Sequence, residues 1–296
     1  MKLEFWIGLS VVLLSGPMAW SQSFDKIPEV TLSHQDSDLE TKCNSFKKPI
    51  HWKVCITNTL NSSNPDVIYF LHGLNGSAKR WRTDHATLKK QVRLIWQRQG
   101  FEAPRVVVIS LGSKWFLIDG FLREFKETLL PYVEEKILQG RVGKRYLWGN
   151  SMGGFNALQL IMNWPQGFKK AVIVNPFIPY CLPYNGFFEN LNCAFKHEYT
   201  INGWVNLFVM DLVKQSFPTP DDWAQVDPFI FGQNTLGSHS PKIFLTCGTK
   251  DVFGFFGSNR DFAEFAESLG VDLEWHPTAL AHGEFEPEKV AEFLMP

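Results

Sequence analysis

The sequence predicts an α/β fold built on a doubly wound, mostly parallel sheet, and three observations carry that expectation. Short continuous apolar runs rich in β-formers, such as "DVIYFL" and "RVVVISL", read as strands buried on both faces. Between them lie segments with a helical apolar stripe, and strand and helix alternate through the chain. The 296 residues, 45% hydrophobic and 20% charged, are enough to bury a large core in one such domain.

The elements follow in order. Lys2 precedes the apolar run "FWIGLSVVLLSGPMAW", and Ala19 and Ser21 put small residues at both cleavage-determining positions. Residues 1–21 are therefore expected to be a secretory signal peptide, and 22–296 a single domain in a secreted or periplasmic protein. As a membrane anchor the run falls short of about 20 apolar residues and is broken by Gly16 and Pro17. Residues 22–50 are polar and without clear periodicity, and "HWKVCITNTL" reads as an early antiparallel strand.

"DVIYFL" ends in the turn-rich "HGLNGS", and "HATLKKQVRLIWQRQG" is a helix stopped by Gly100. After "RVVVISL" comes the helical "LIDGFLREFKETLLPYVEEKI", interrupted at Pro131, and then "KRYLWGN" leads into a turn. "GGFNALQLIMNW" is a helix ended by Pro165, while "KKAVIVNP", "PKIFLTCG" and "VDLEWHP" are three more strands. "NRDFAEFAESLG" and "PEKVAEFL" are the last helices.

One segment, about residues 177–235, breaks the alternation as an insertion. Between Phe177 and Phe231 it holds 13 aromatic residues in 55, against 15% in the whole chain, too apolar for a bare loop. Its Phe187, Phe188, Trp204, Phe208 and Trp223 would either fill a small core of the insertion or line a pocket.

Of five cysteines, Cys43 and Cys55 are twelve apart, as are Cys181 and Cys193, each pair in or beside loop-like sequence. Two local disulfides with Cys247 free is the economical reading, although four cysteines allow three pairings. No spacing is a zinc pattern. With 29 basic and 30 acidic residues and no long basic run, nothing points to nucleic acid or an anionic membrane as partner.

The chemistry is carried by "YLWGNSMGGFNAL". A phosphate loop fails here, because Gly149 and Gly154 are followed by Phe155 and Asn156 instead of Lys and Ser/Thr. A dinucleotide fingerprint is missing too. What remains is Gly-x-Ser-x-Gly, a sharp strand-to-helix turn that exposes Ser151 as a nucleophile.

A serine hydroxyl needs a base within reach and a third group to orient that base. On sheets of this kind these partners come in the order Ser, acid, His. Asp251 follows "KIFLTCG", and His282 lies in the last strand-to-helix loop, so the order is supplied. His34, His51, His72, His85, His197, His239 and His276, and Asp221, Asp222, Asp227 and Asp261, lack that context and read as structural, solvated or capping residues. The backbone N–H of Met152 is one expected donor to the oxyanion, and "HGLNG" supplies the other.

"YFLHGLNGS", "GNSMGGFNALQL" with the "VNP" that follows, "LTCGTKDVF" and "AHGEFEPEKVAEFL" resemble the putative-esterase branch of the α/β-hydrolases. That branch includes S-formylglutathione hydrolase-like, feruloyl-esterase-like and mycolyltransferase-like enzymes, and the resemblance runs from roughly residue 50 to the C-terminus. It implies an α/β-hydrolase fold with Ser151 as nucleophile, Asp251 as acid and His282 as base. It also implies that Leu74, after "HG", shares the oxyanion hole with Met152. Asn150 stands where the branch often has His or Leu, and the insertion after Asn175 matches no one subgroup, which leaves the substrate open.

The expected activity is hydrolysis of a small-molecule or polysaccharide-linked carboxylic ester through an acyl-enzyme, with no cofactor and no metal. An acyltransferase using a sugar or alcohol acceptor is the closest enzymatic alternative. A silent binding protein on a hydrolase fold is the alternative of another class, and the complete set of three groups argues against it.

Overall fold

The computed structural model describes residues 39–46, 52–59, 63–78, 80–83, 85–112, 121–196 and 203–295. The expected signal peptide, residues 1–21, lies outside them, as do His34, His51 and His197. The strands are β1 (Leu39–Phe46), β2 (Trp52–Thr59), β3 (Val67–Leu71), β4 (Arg105–Ser110), β5 (Arg145–Asn150), β6 (Lys170–Val174), β7 (Lys242–Lys250) and β8 (Leu273–Ala281). They form one sheet in the order β1-β2-β4-β3-β5-β6-β7-β8. β1 and β2 pair antiparallel, β2 pairs antiparallel with β4, and every other neighbouring pair is parallel.

The helices are α1 (Arg80–Thr83), α2 (Ala86–Arg98), α3 (Phe121–Glu124), α4 (Leu130–Tyr132), α5 (Met152–Asn163), α6 (Phe187–Lys196), α7 (Gly203–Ser216), α8 (Pro220–Ala224), α9 (Pro228–Thr235), α10 (Phe256–Ser268) and α11 (Pro287–Leu294). Alternation along each strand explains the continuous apolar runs. Val67, Tyr69, Leu71, Leu147, Ile173 and Leu245 face a core shared with α5 and α10. Ile68, Phe70, Trp148, Val172 and Phe244 face the opposite core, with Val92 and Trp96 of α2 and Val290 and Leu294 of α11.

The structure departs from the sequence expectations in four places. β1 occupies residues read as irregular, because an edge strand of polar residues shows no apolar alternation. Its ties are the Cys43–Cys55 bridge, within a register pair and not beside a loop, and a 2.9 Å hydrogen bond between the Thr41 and Thr57 hydroxyls. β8 runs on to Ala281, through residues read as loop. Pro131 does not end its helix, since wider π-type turns at Phe125–Leu129 and Val133–Ile137 accommodate the missing N–H.

The fourth departure is in the insertion, where α6 to α9 stand between β6 and β7. Trp223 is 3% exposed and packs with Phe155 of α5, Phe217 and Phe177. Phe187, Phe188, Trp204 and Phe208 instead face solvent, at 73%, 81%, 68% and 50% exposed. The Cys181–Cys193 bridge joins the start of the insertion to α6, and Cys247 is free and buried. Among the described residues no helix is long and apolar enough to cross a membrane.

Candidate active site

β5 ends in a turn that only this pattern of glycines permits. A Cβ on Gly149 would lie 2.3 Å from the Gly153 carbonyl oxygen, and one on Gly153 would lie 2.0 Å from that of Leu71. Strand and helix therefore approach at backbone contact, and the residue between them takes the strain: Ser151 has φ 55° and ψ −120°. Three backbone hydrogen bonds hold it there, from Ser151 N to Val174 O (2.9 Å), and to Ser151 O from Phe155 N (3.1 Å) and Phe177 N (3.2 Å).

The loop after β3 lies against this turn. A side chain on Gly73 would put its first carbon 3.2 Å from Ser151 Cβ, and Leu74 packs in the same cluster as Met152. His72 fixes the loop. Its Nδ1 donates to Gly73 O at 2.8 Å, since a carbonyl only accepts, and Nε2 lies 2.7 Å from the Ser110 hydroxyl. This buried histidine is a strut.

Asp251 and His282 follow β7 and β8, on the same sheet edge as Ser151. His282 Nδ1 donates to Asp251 Oδ2 at 2.8 Å, with the carboxylate fully buried and the imidazole partly exposed. Phe253 N donates to Asp251 Oδ1 at 2.8 Å, and the Phe253 ring lies edge-on to the imidazole, centroids 4.6 Å apart. The buried carboxylate thus keeps hydrogen-bond donors on both oxygens, which is what an ionised group needs away from water. Burial and the neighbouring Asp251 charge push the Cys247 thiol up, so it sits 3.8 Å from Asp251 Oδ2 as a neutral group.

Asn175, at the end of β6 and within the quoted "VNP", is a site residue to which the sequence assigns no role. It is fully buried, and its side chain reaches both Asp251 and the His282 loop. Its signal was an Asn directly before Pro at a strand end, which by itself marks only a turn. The set-aside residues have other work. Asp222 completes a capping box with Thr219, Asp227 caps α9, and Asp261 pairs with Arg260 and accepts from Tyr180. His276 pairs with Glu286 and stacks on Phe244.

Comparison with known proteins bears on the family and the fold. A family model described as putative esterase matches residues 117–276, taking in Ser151 and Asp251 and stopping short of His282. No curated protein matches the sequence. Among solved structures, a ferulic acid esterase superposes with a TM-score of 0.61 at 15% identity, covering 86% of this chain and 95% of that one. Carboxyl esterase 2 of the mycorrhizal fungus Tuber melanosporum gives 0.60 at 16%, covering 92% and 87%. Brefeldin A esterase, a bacterial homologue of human hormone-sensitive lipase, gives 0.61 at 15%, covering 90% and 76%. At these identities the likeness shows the fold, which is that of the α/β-hydrolases.

Proposed function

The chain belongs to the putative esterase family, and from that premise we propose that it is an exported serine carboxylesterase. The observation that carries the reading is the strained Ser151 turn at the end of β5, on the sheet edge that also bears the hydrogen-bonded Asp251–His282 pair. In this reading His282 Nε2 takes the Ser151 proton while Asp251 holds Nδ1–H and steadies the imidazolium. The serine oxygen attacks the ester carbonyl, and the N–H groups of Met152 and Leu74 receive the oxyanion. His282 then protonates the leaving alcohol, and water activated by the same imidazole releases the acid.

The ester should carry an apolar group. A shallow crevice lined by Tyr180, Asn206, Val209, Phe253 and Phe255 adjoins the Phe253 ring that touches the imidazole. Export is supported by the apolar run before Ser21 and by two disulfide bridges.

The test is active-site labelling beside turnover. A fluorophosphonate probe should attach to Ser151, as read by peptide mapping. Ser151→Ala should resist the probe and lose p-nitrophenyl butyrate hydrolysis by roughly four orders of magnitude or more while staying folded. Near-native turnover in folded S151A would end the assignment.

A further inference from the structure

Asn175 makes more directed contacts than a turn residue requires. Its backbone N donates to Thr246 O at 2.8 Å, tying the end of β6 to β7. Its side-chain Nδ2 donates to Asp251 Oδ2 at 2.7 Å and to Cys247 Sγ at 3.2 Å. Its Oδ1 accepts from Gly283 N at 3.1 Å, the residue after His282. The neighbouring Val174 carbonyl accepts from Ser151 N at 2.9 Å. One buried amide thus stands among the backbone of the nucleophile, the carboxylate and the loop that carries the imidazole.

Resting on the serine-esterase reading, we infer that Asn175 is a positioning residue that locks Asp251 and the His282 loop into one unit. Oδ2 of Asp251 receives His282 Nδ1, Asn175 Nδ2 and, at 3.8 Å, the Cys247 thiol, and the short Asn175 bond, with Phe253 N on Oδ1, sets which way the carboxylate faces. Through Gly283 N the same side chain sets where the imidazole loop crosses the sheet edge. The residue also sits at φ 43°, a left-handed conformation in which Asn is among the few tolerated side chains. A turn-only role would need that backbone and nothing of the amide.

Glycine separates the two roles, because Asn175→Gly keeps the left-handed backbone and removes the amide. Asn175→Asp keeps shape and the acceptor for Gly283 N, but sets a carboxylate against Asp251. The full mature protein is assayed with p-nitrophenyl butyrate and by fluorophosphonate labelling rate, in wild-type and Asp251→Asn backgrounds. N175G should lower kcat and labelling rate about ten- to a hundredfold with KM within about threefold, and N175D at least as far. In D251N, where the Asp251 contact is gone and only the Gly283 contact remains, N175G should cost at least about threefold less than it does in wild type.

Folded N175G or N175D with kcat within about threefold of wild type overturns the inference, as does an equal loss in both backgrounds. If wild type labels at Ser151 while the variants keep full rate, the inference alone fails. If wild type does not label, the esterase reading fails and takes the inference with it.

Discussion

The turn at Ser151 and the hairpin of α6 and α7 lie in neighbouring stretches of one chain and are held by opposite means. At the turn, backbone touches backbone: Gly149, Gly153 and the β3 carbonyls leave no room for a methyl group, and Phe155 beside them is fully buried. In the hairpin the local core is Cys181, Ala194 and Met210, and the large rings of Phe187, Phe188 and Trp204 face outward. Close packing specifies the first and a covalent bridge steadies the second. Ser151 sits on the close-packed part, and the bridged hairpin stands after β6, at the same sheet edge.

The strongest test of the contrast is a methyl group at the turn. Gly153→Ala would place Cβ 2.0 Å from Leu71 O and 2.4 Å from its carbonyl carbon, both on the central strand β3. Neither atom can retreat without breaking the ladder that β3 makes with β4 and β5. The variant should lose about 3 kcal/mol or more of stability, read from the urea midpoint. An unchanged midpoint would mean the turn is looser than its contacts require.

The bridge comes next. The paired change Cys181→Ser with Cys193→Ser opens a loop whose ends are 12 residues apart. It should ease local opening of α6 and α7 by about 2 to 3 kcal/mol, seen as faster hydrogen exchange of their amides. The β5 amides should keep their protection, because α5 and the sheet make a separate core. Equal loss of protection at β5 would show that the hairpin and the site unfold as one unit.

What could be read from the sequence follows the same division. Gly149, Ser151 and Gly153 announce the turn because its geometry is a short-range steric requirement, and the β-branched runs announce buried strands because both faces are covered. Asp251 and His282 were found from order along the chain and position after a strand, which topology turns into proximity. Asn175 shows in the sequence only as the Asn of "VNP", since its contacts with Asp251 and Gly283, distant in sequence, are met only in the fold. Polar β1 gave no periodic signal, and composition alone could not say that Trp223 turns inward while Phe188 turns outward.

The smallest effect expected is at those outward rings, and it is a matter of selectivity more than stability. Phe187 and Phe188 contact each other edge to face, centroids 5.4 Å apart, and remain largely in water. Truncating both to Ala removes little buried surface, so stability should move by no more than about 0.5 kcal/mol. Trp223→Ala, by contrast, would empty a site stacked on Phe155 and cost about 3 to 5 kcal/mol. If an acyl chain passing the surface crevice by Phe253 and Tyr180 runs along α6, the rings gain burial only when that chain is long. The double variant should then lose about three- to tenfold in kcat/KM for p-nitrophenyl octanoate and nothing for the acetate. The upper figure corresponds to about two methylenes leaving water, at roughly 0.8 kcal/mol each. Equal effects on both esters, or none on either, would place the acyl chain elsewhere and leave the α6 rings as surface that the hairpin carries without using it on this substrate.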